Sequence, residues 1–110
     1  MDAITKKIIE FRDERDWKQF HNAKDLAISL TLEASELLEN FQWKSSEDAI
    51  NKNMDQIQDE LADVLIYALM LAHDLEIDAE KAILQKLKKN AEKYPVDKFK
   101  GTSKKYTEGE

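Results

Sequence analysis

A chain of 110 residues with no cysteine, two glycines and one proline has room for one domain and one core. It excludes a disulfide framework and a thiolate zinc site. With 36% charged residues and a formal net charge of −6, it also excludes a broad basic surface for duplex nucleic acid.

Few helix breakers and many Leu, Ala, Lys and Glu residues predict an all-α protein, a bundle of about four helices. The first helix is expected from about Asp2 to Asp16, with Ile4, Ile8, Ile9 and Phe11 as its apolar positions. The second runs from about Ala23 to Phe41, with Asn22 as N-cap and Asp25 three residues later. The third runs from about Glu47 to Leu75, capped by Ser45 or Ser46, with acids in its first turn. From Leu61 to Leu71 it is apolar almost all round, which predicts the central helix. The fourth starts near Asp78 and ends before Pro95, with Ala82, Ile83 and Leu87 on its apolar face. Residues 1–95 are thus expected as one helical domain. Residues 96–110 lack helical periodicity and are expected as an irregular tail, with ordering over a site left open. The longest apolar run, Val64 to Ala72, is too short for a bilayer, which takes about 20 residues. Met1–Ile9 is mixed and charged, unlike a signal peptide. A soluble, cytoplasmic protein that binds neither membrane nor nucleic-acid polymer is expected.

One residue breaks the apolar pattern of the second helix. Leu26, Leu30, Glu33 and Leu37 are spaced four, three and four apart, along one helix face. A carboxylate in that stripe is costly to bury without compensation. Glu33 pairs with Glu36 on the adjacent turn, and Glu60 pairs with Asp63 in the same way on the third helix. A short connection lets these helices pack antiparallel, so that the pairs face each other. Four such carboxylates repel, and either protons or a cation must relieve them. Oxygen-only ligands favour Mg²⁺ or Mn²⁺. Such an ion leaves positions for water and phosphate oxygens, which suggests phosphate ester or anhydride chemistry with a metal-bound water. For Glu36 or Glu60 taken alone, a solvated helix face bridged to lysines is the alternative. Di-iron chemistry is disfavoured: it takes Glu-x-x-His on two helices, and neither His21 nor His73 completes that motif.

The Glu33-x-x-Glu36 and Glu60-x-x-Asp63 pairs on successive helices resemble the MazG-like nucleoside triphosphate pyrophosphohydrolases. Four further segments look like the dCTP pyrophosphatase branch: Glu14–His21, Phe41–Lys44, Asp59–Tyr67 and Lys93–Glu108. The resemblance covers nearly the whole chain in consistent order. It implies an all-α enzyme that uses Mg²⁺ to hydrolyse a (d)NTP to the monophosphate and pyrophosphate, for nucleotide-pool housecleaning. Glu33, Glu36, Glu60 and Asp63 would be the metal ligands, and Glu36 would also orient the attacking water. Trp17, Lys18, Gln19, Phe20 and His21 would form a substrate-contacting loop, joined by Trp43 and Tyr67. Asn90 and Lys93 would contact sugar or phosphate, and Lys104 and Lys105 would neutralise phosphates if the tail folded over the site. Core or interface packing is the alternative for the aromatics, support of a helix start for His21, and solvation for the lysines. Ile8 departs from the pattern, because close dCTP-type relatives can carry a histidine nine residues before the loop tryptophan. The resemblance further implies a homo-oligomer, a tetramer built from dimers. The competing function is a noncatalytic helical module that binds nucleotide or a protein partner.

Overall fold

The computed structural model describes residues 2–103. It is all-α, with no strand among the described residues: α1 (Asp2–Glu14), a 3₁₀ turn (Lys18–Phe20), α2 (Ala23–Glu39), α3 (Ser46–Asp74), α4 (Ala79–Lys93) and α5 (Val96–Phe99). No helix among them is long and apolar enough to cross a membrane.

The helix starts follow local sequence. The Asp25 amide donates to Asn22 Oδ1 at 2.8 Å, the Asp48 amide to Ser45 Oγ at 3.1 Å, and the Lys81 amide to Asp78 Oδ1 at 3.0 Å. Each bond satisfies one of the free amides of a first turn. Two helix ends are built without glycine. At the end of α1 the Trp17 amide donates to the Arg12 carbonyl and the Asp16 amide to the Asp13 carbonyl. At the end of α3 the Ile77 amide donates to Ala72 and the Glu76 amide to His73. Both are Schellman closures, and their left-handed residues are Asp16 (φ 54°) and Glu76 (φ 56°).

The described residues fall into two compact units that divide between Ile77 and Asp78. In the first, α3 packs against both α2 and α1. Its core is small: Leu26, Ala49, Leu69 and Met70 are buried. The one buried charged residue among those described is Arg12, 1% exposed. This corrects the expected apolar pattern of α1, whose Ile4 and Phe11 stay about half exposed. Leu38, Leu61 and Leu65 are exposed too. A helix that is apolar all round needs partners on every side, and two packed helices cover only part of α3.

The backbone of α3 leaves helical geometry once, at Asn53 (φ −121°, ψ 21°). There the side-chain Nδ2 donates to the carbonyl of Asn40, the residue that closes α2, at 3.0 Å.

In the second unit α4 ends before Pro95, with Ile83 and Leu87 about half exposed rather than forming a buried face. The expected irregular tail holds one helical turn, Val96–Phe99. Pro95 precedes it with φ −57° and ψ 141°, and the Tyr94 and Phe99 rings meet edge to face at 4.9 Å. A preset proline φ and one ring contact start a turn too short to leave a periodic signal. Lys104 and Lys105 lie outside the described residues.

Candidate metal centre and nucleotide pocket

Glu33 and Glu36 stand one turn apart on α2, and Glu60 stands on α3. One carboxylate oxygen from each lies within 4.8 Å of the others. Glu33 and Glu60 are half-buried and Glu36 is exposed. One oxygen of Glu33 and one of Glu60 are buried without a hydrogen-bond partner. Burial first, then the adjacent Glu36 carboxyl, then the charges of Asp63 and Glu60 push Glu33 up to about 7. Burial and then Glu36 raise Glu60 as well. Two buried carboxylate oxygens without partners, beside a third carboxylate, suit a hard cation, which would relieve both the desolvation and the repulsion. Asp63 is outside this group of three; it raises Glu33 through its charge and lines the neighbouring cavity.

That cavity, of about 430 Å³, lies within the first unit. Lys7, Ile8 and Phe11 of α1 form one wall, and Asp63, Ile66, Tyr67 and Met70 of α3 form another. Trp17 and His21, from the connection to α2, complete it. The left-handed turn at Asp16 places Trp17 edge to face with Phe11, ring centroids 5.8 Å apart. The Arg15 guanidinium lies 3.7 Å from the Phe11 ring centre and braces it from outside the lining. His21 meets Tyr67 at 6.5 Å, edge to face, and its Nδ1 is buried without a partner. Burial, then Glu33, Asp63 and Glu36, raise the Tyr67 pKa, so its hydroxyl stays a donor.

The other sequence-predicted contacts are dispersed. Lys18 lines a separate polar hollow with Asn22, His73, Asp74 and Glu76. The Gln19 side chain donates to the Asp16 carbonyl and carboxylate, both at 3.0 Å. Phe20 is exposed. Trp43 is 94% exposed on the α2–α3 connection, in a left-handed conformation (φ 61°) that is rare for a bulky side chain. Asn90 and Lys93 belong to α4, in the second unit.

The MazG-like family model matches residues 28–108, a span that holds all four acids. The chain belongs to the MazG-like family. Among similar proteins, rat dCTP pyrophosphatase 1 is 38% identical over 113 residues, covering 98% of this chain. The human protein of the same name is 37% identical over the same share. The chain spans 66% of the length of these two relatives. A solved pyrophosphatase from Archaeoglobus fulgidus DSM 4304 is 40% identical, with a TM-score of 0.81, covering 86% of this chain and 92% of its own.

Four lining residues of this MazG-like chain escape sequence reasoning: Lys7, Phe11, Ile66 and Met70. A weak signal exists, since Lys7–Phe11 and Ile66–Met70 are each spaced four apart on one helix face. Which two faces meet is not written in either spacing.

The raised Glu33 carries a pH prediction for the metal-free protein. Its folded pKa of about 7 exceeds its ordinary value of 4.5. The folded state therefore holds more protons than the unfolded one between these values. Its contribution to stability is full below about 4.5 and is lost as pH rises through about 7. Without divalent ions, thermal melting should fall by a few degrees from pH 5 to pH 7.5, and saturating Mg²⁺ should recover the loss at pH 7.5. A melting temperature at pH 7.5 indifferent to Mg²⁺ and Mn²⁺ would count against cation binding by these acids.

Proposed function

We propose that this chain is a Mg²⁺-dependent nucleoside triphosphate pyrophosphohydrolase. It converts a (d)NTP, a pyrimidine such as dCTP or a modified dCTP, to the monophosphate and pyrophosphate. The observation that carries the reading is the convergence of Glu33, Glu36 and Glu60 beside an aromatic-walled cavity of nucleoside size. The names of the relatives, dCTP pyrophosphatase 1 and pyrophosphatase, support the same chemistry.

Glu33, Glu36 and Glu60 would hold Mg²⁺, or Mn²⁺ in its place, with Asp63 as a fourth ligand. When bound, the ion neutralises triphosphate charge and lowers the pKa of a coordinated water. Glu36, the exposed member, takes the proton of the attacking water and aims its oxygen at the α-phosphorus. The α–β anhydride bond breaks, and the electron pair leaves on pyrophosphate. Trp17 and Tyr67 flank the base, and His21 offers Nδ1 to a base edge or a phosphate oxygen. Lys18, Gln19, Phe20, Trp43, Asn90 and Lys93 belong to the same proposal as outer contacts. Ile8 puts an apolar side chain on the pocket wall, which sets base preference by shape rather than by a hydrogen bond from that position. A role in nucleotide-pool housecleaning in the cytoplasm follows from this activity.

The test is a panel of all canonical dNTPs and NTPs plus 5-methyl-dCTP, each with Mg²⁺ or Mn²⁺, read by pyrophosphate release. Release with a pyrimidine triphosphate foremost supports the reading. Folded protein that binds a nucleotide and cleaves none would instead be the noncatalytic module.

A homo-oligomer, a tetramer built as a dimer of dimers, is part of the proposal. Ile28 and Leu32 on α2, and Leu61 and Leu65 on α3, are each spaced four apart and 46–59% exposed, apolar faces that a second copy would cover. Light scattering at micromolar concentration should give a multiple of 12.8 kDa; a monomer rejects it.

A further inference from the structure

We propose that Asn53 is the positioning residue that sets the register of the two acid-bearing helices, and so brings the Glu33 and Glu60 carboxylates together. The inference rests on the metal-site reading above. Asn53 stands at the one break in α3, and its side chain spans to the neighbouring helix. The partner is the carbonyl of Asn40, one of the α2 carbonyls that helical bonding leaves unsatisfied. Asn40 itself is held to α2, since its Nδ2 donates to the Leu37 carbonyl at 3.3 Å.

Asn40 follows Glu33 by seven residues, and Asn53 precedes Glu60 by seven. Seven residues are close to two helical turns, about 10 Å. On antiparallel helices, a clasp between residues 40 and 53 therefore puts residues 33 and 60 opposite each other two turns further on. A slip by one residue on either helix would rotate one carboxylate by about 100° and move it by about 1.5 Å, enough to break a shared site. The break acts in the same place. It sets the direction of the part of α3 that carries Glu60, Asp63 and Tyr67. The six-residue connection, Asn40 to Ser45, spends a left-handed Trp43 on its turn, so the clasp rather than a relaxed loop fixes how the helices return.

Two substitutions remove the bond, one with an added negative charge and one without any change of charge. Asn53→Asp is nearly isosteric, but its carboxylate cannot donate to a carbonyl, and its added charge would by itself attract a cation. Asn53→Ala raises helix propensity and favours straightening of the break. Asp78→Ala, which removes the cap of α4, serves as a control for a loss of stability away from the clasp.

The measurement is Mn²⁺ binding to the purified full chain by electron paramagnetic resonance, with helix content checked by circular dichroism. Both Asn53 variants should keep their helix content and bind Mn²⁺ about tenfold more weakly, the scale on which outer-shell support acts on metal sites. Asp78→Ala should bind within twofold of the parent. A merely structural asparagine would not weaken Mn²⁺ binding in Asn53→Ala, whose helix is improved. Parent-like affinity in both Asn53 variants overturns the inference and leaves the metal site standing. Weakening by Asp78→Ala as large as theirs overturns it too. A parent chain that binds no Mn²⁺ overturns both the metal-site reading and this inference.

Discussion

Glu36→Gln should lower pyrophosphate release by about a thousandfold while leaving helix content unchanged. The amide keeps the size and one acceptor of the carboxylate but loses its charge and its capacity to take a proton. Glu36 is exposed at the mouth of the cluster, so the substitution leaves no cavity. It also removes the neighbour whose charge helps to raise Glu33. The metal-free variant should therefore melt no lower than the parent, and its melting temperature should depend less on pH between 5 and 7.5. Activity within tenfold of the parent would reject the role assigned to Glu36. Loss of helix content would make the substitution structural.

Arg12→Ala should destabilise the chain by about 3 kcal/mol, lowering the melting temperature by about 15 °C. Arg12 is the largest fully buried side chain described, 1% exposed. Its Nη1 donates to both carboxylate oxygens of Asp74, at 2.9 and 2.8 Å, and its Nε donates to Asp13 at 3.3 Å. Both partners of this clasp sit in the last turn of their helices, where carbonyl ends favour a cation. Truncation leaves Asp74, whose side chain is 16% exposed, without its counter-charge and empties the buried space that Arg12 fills, in a unit whose core holds only four buried apolar residues among those described. The double variant Arg12→Met with Asp74→Leu should recover most of the loss, because apolar groups of similar volume replace a buried ion pair at little cost. A loss below about 1 kcal/mol in Arg12→Ala would mean that the clasp is dispensable. Phe11, next to Arg12, lines the cavity, so the single variant should also show a raised KM where it remains folded.

The sequence alone determined what depends on near neighbours. Helices start at Asn22, Ser45 and Asp78 because a cap acts on an amide three residues away. The pairs Glu33–Glu36 and Glu60–Asp63 share helix faces because 3.6 residues make a turn, and oxygen ligands name a hard cation from composition alone. Helix ends were less legible, since Asp16 and Glu76 take the left-handed position that glycine usually signals.

Tertiary structure decided everything that depends on which faces meet. It brought Glu33, Glu36 and Glu60 together and set Asp63 on the cavity wall. It buried Arg12 where periodicity pointed to Phe11, because a paired guanidinium can fill the place that α1 offers beside the end of α3. It added Lys7, Phe11, Ile66 and Met70 to the pocket wall beside Trp17, His21, Asp63 and Tyr67, because helix spacing does not say which faces meet. A period fixes the direction of a side chain about its own helix axis. Only packing, through contacts such as Asn53 to Asn40 and Arg12 to Asp74, fixes one axis relative to another.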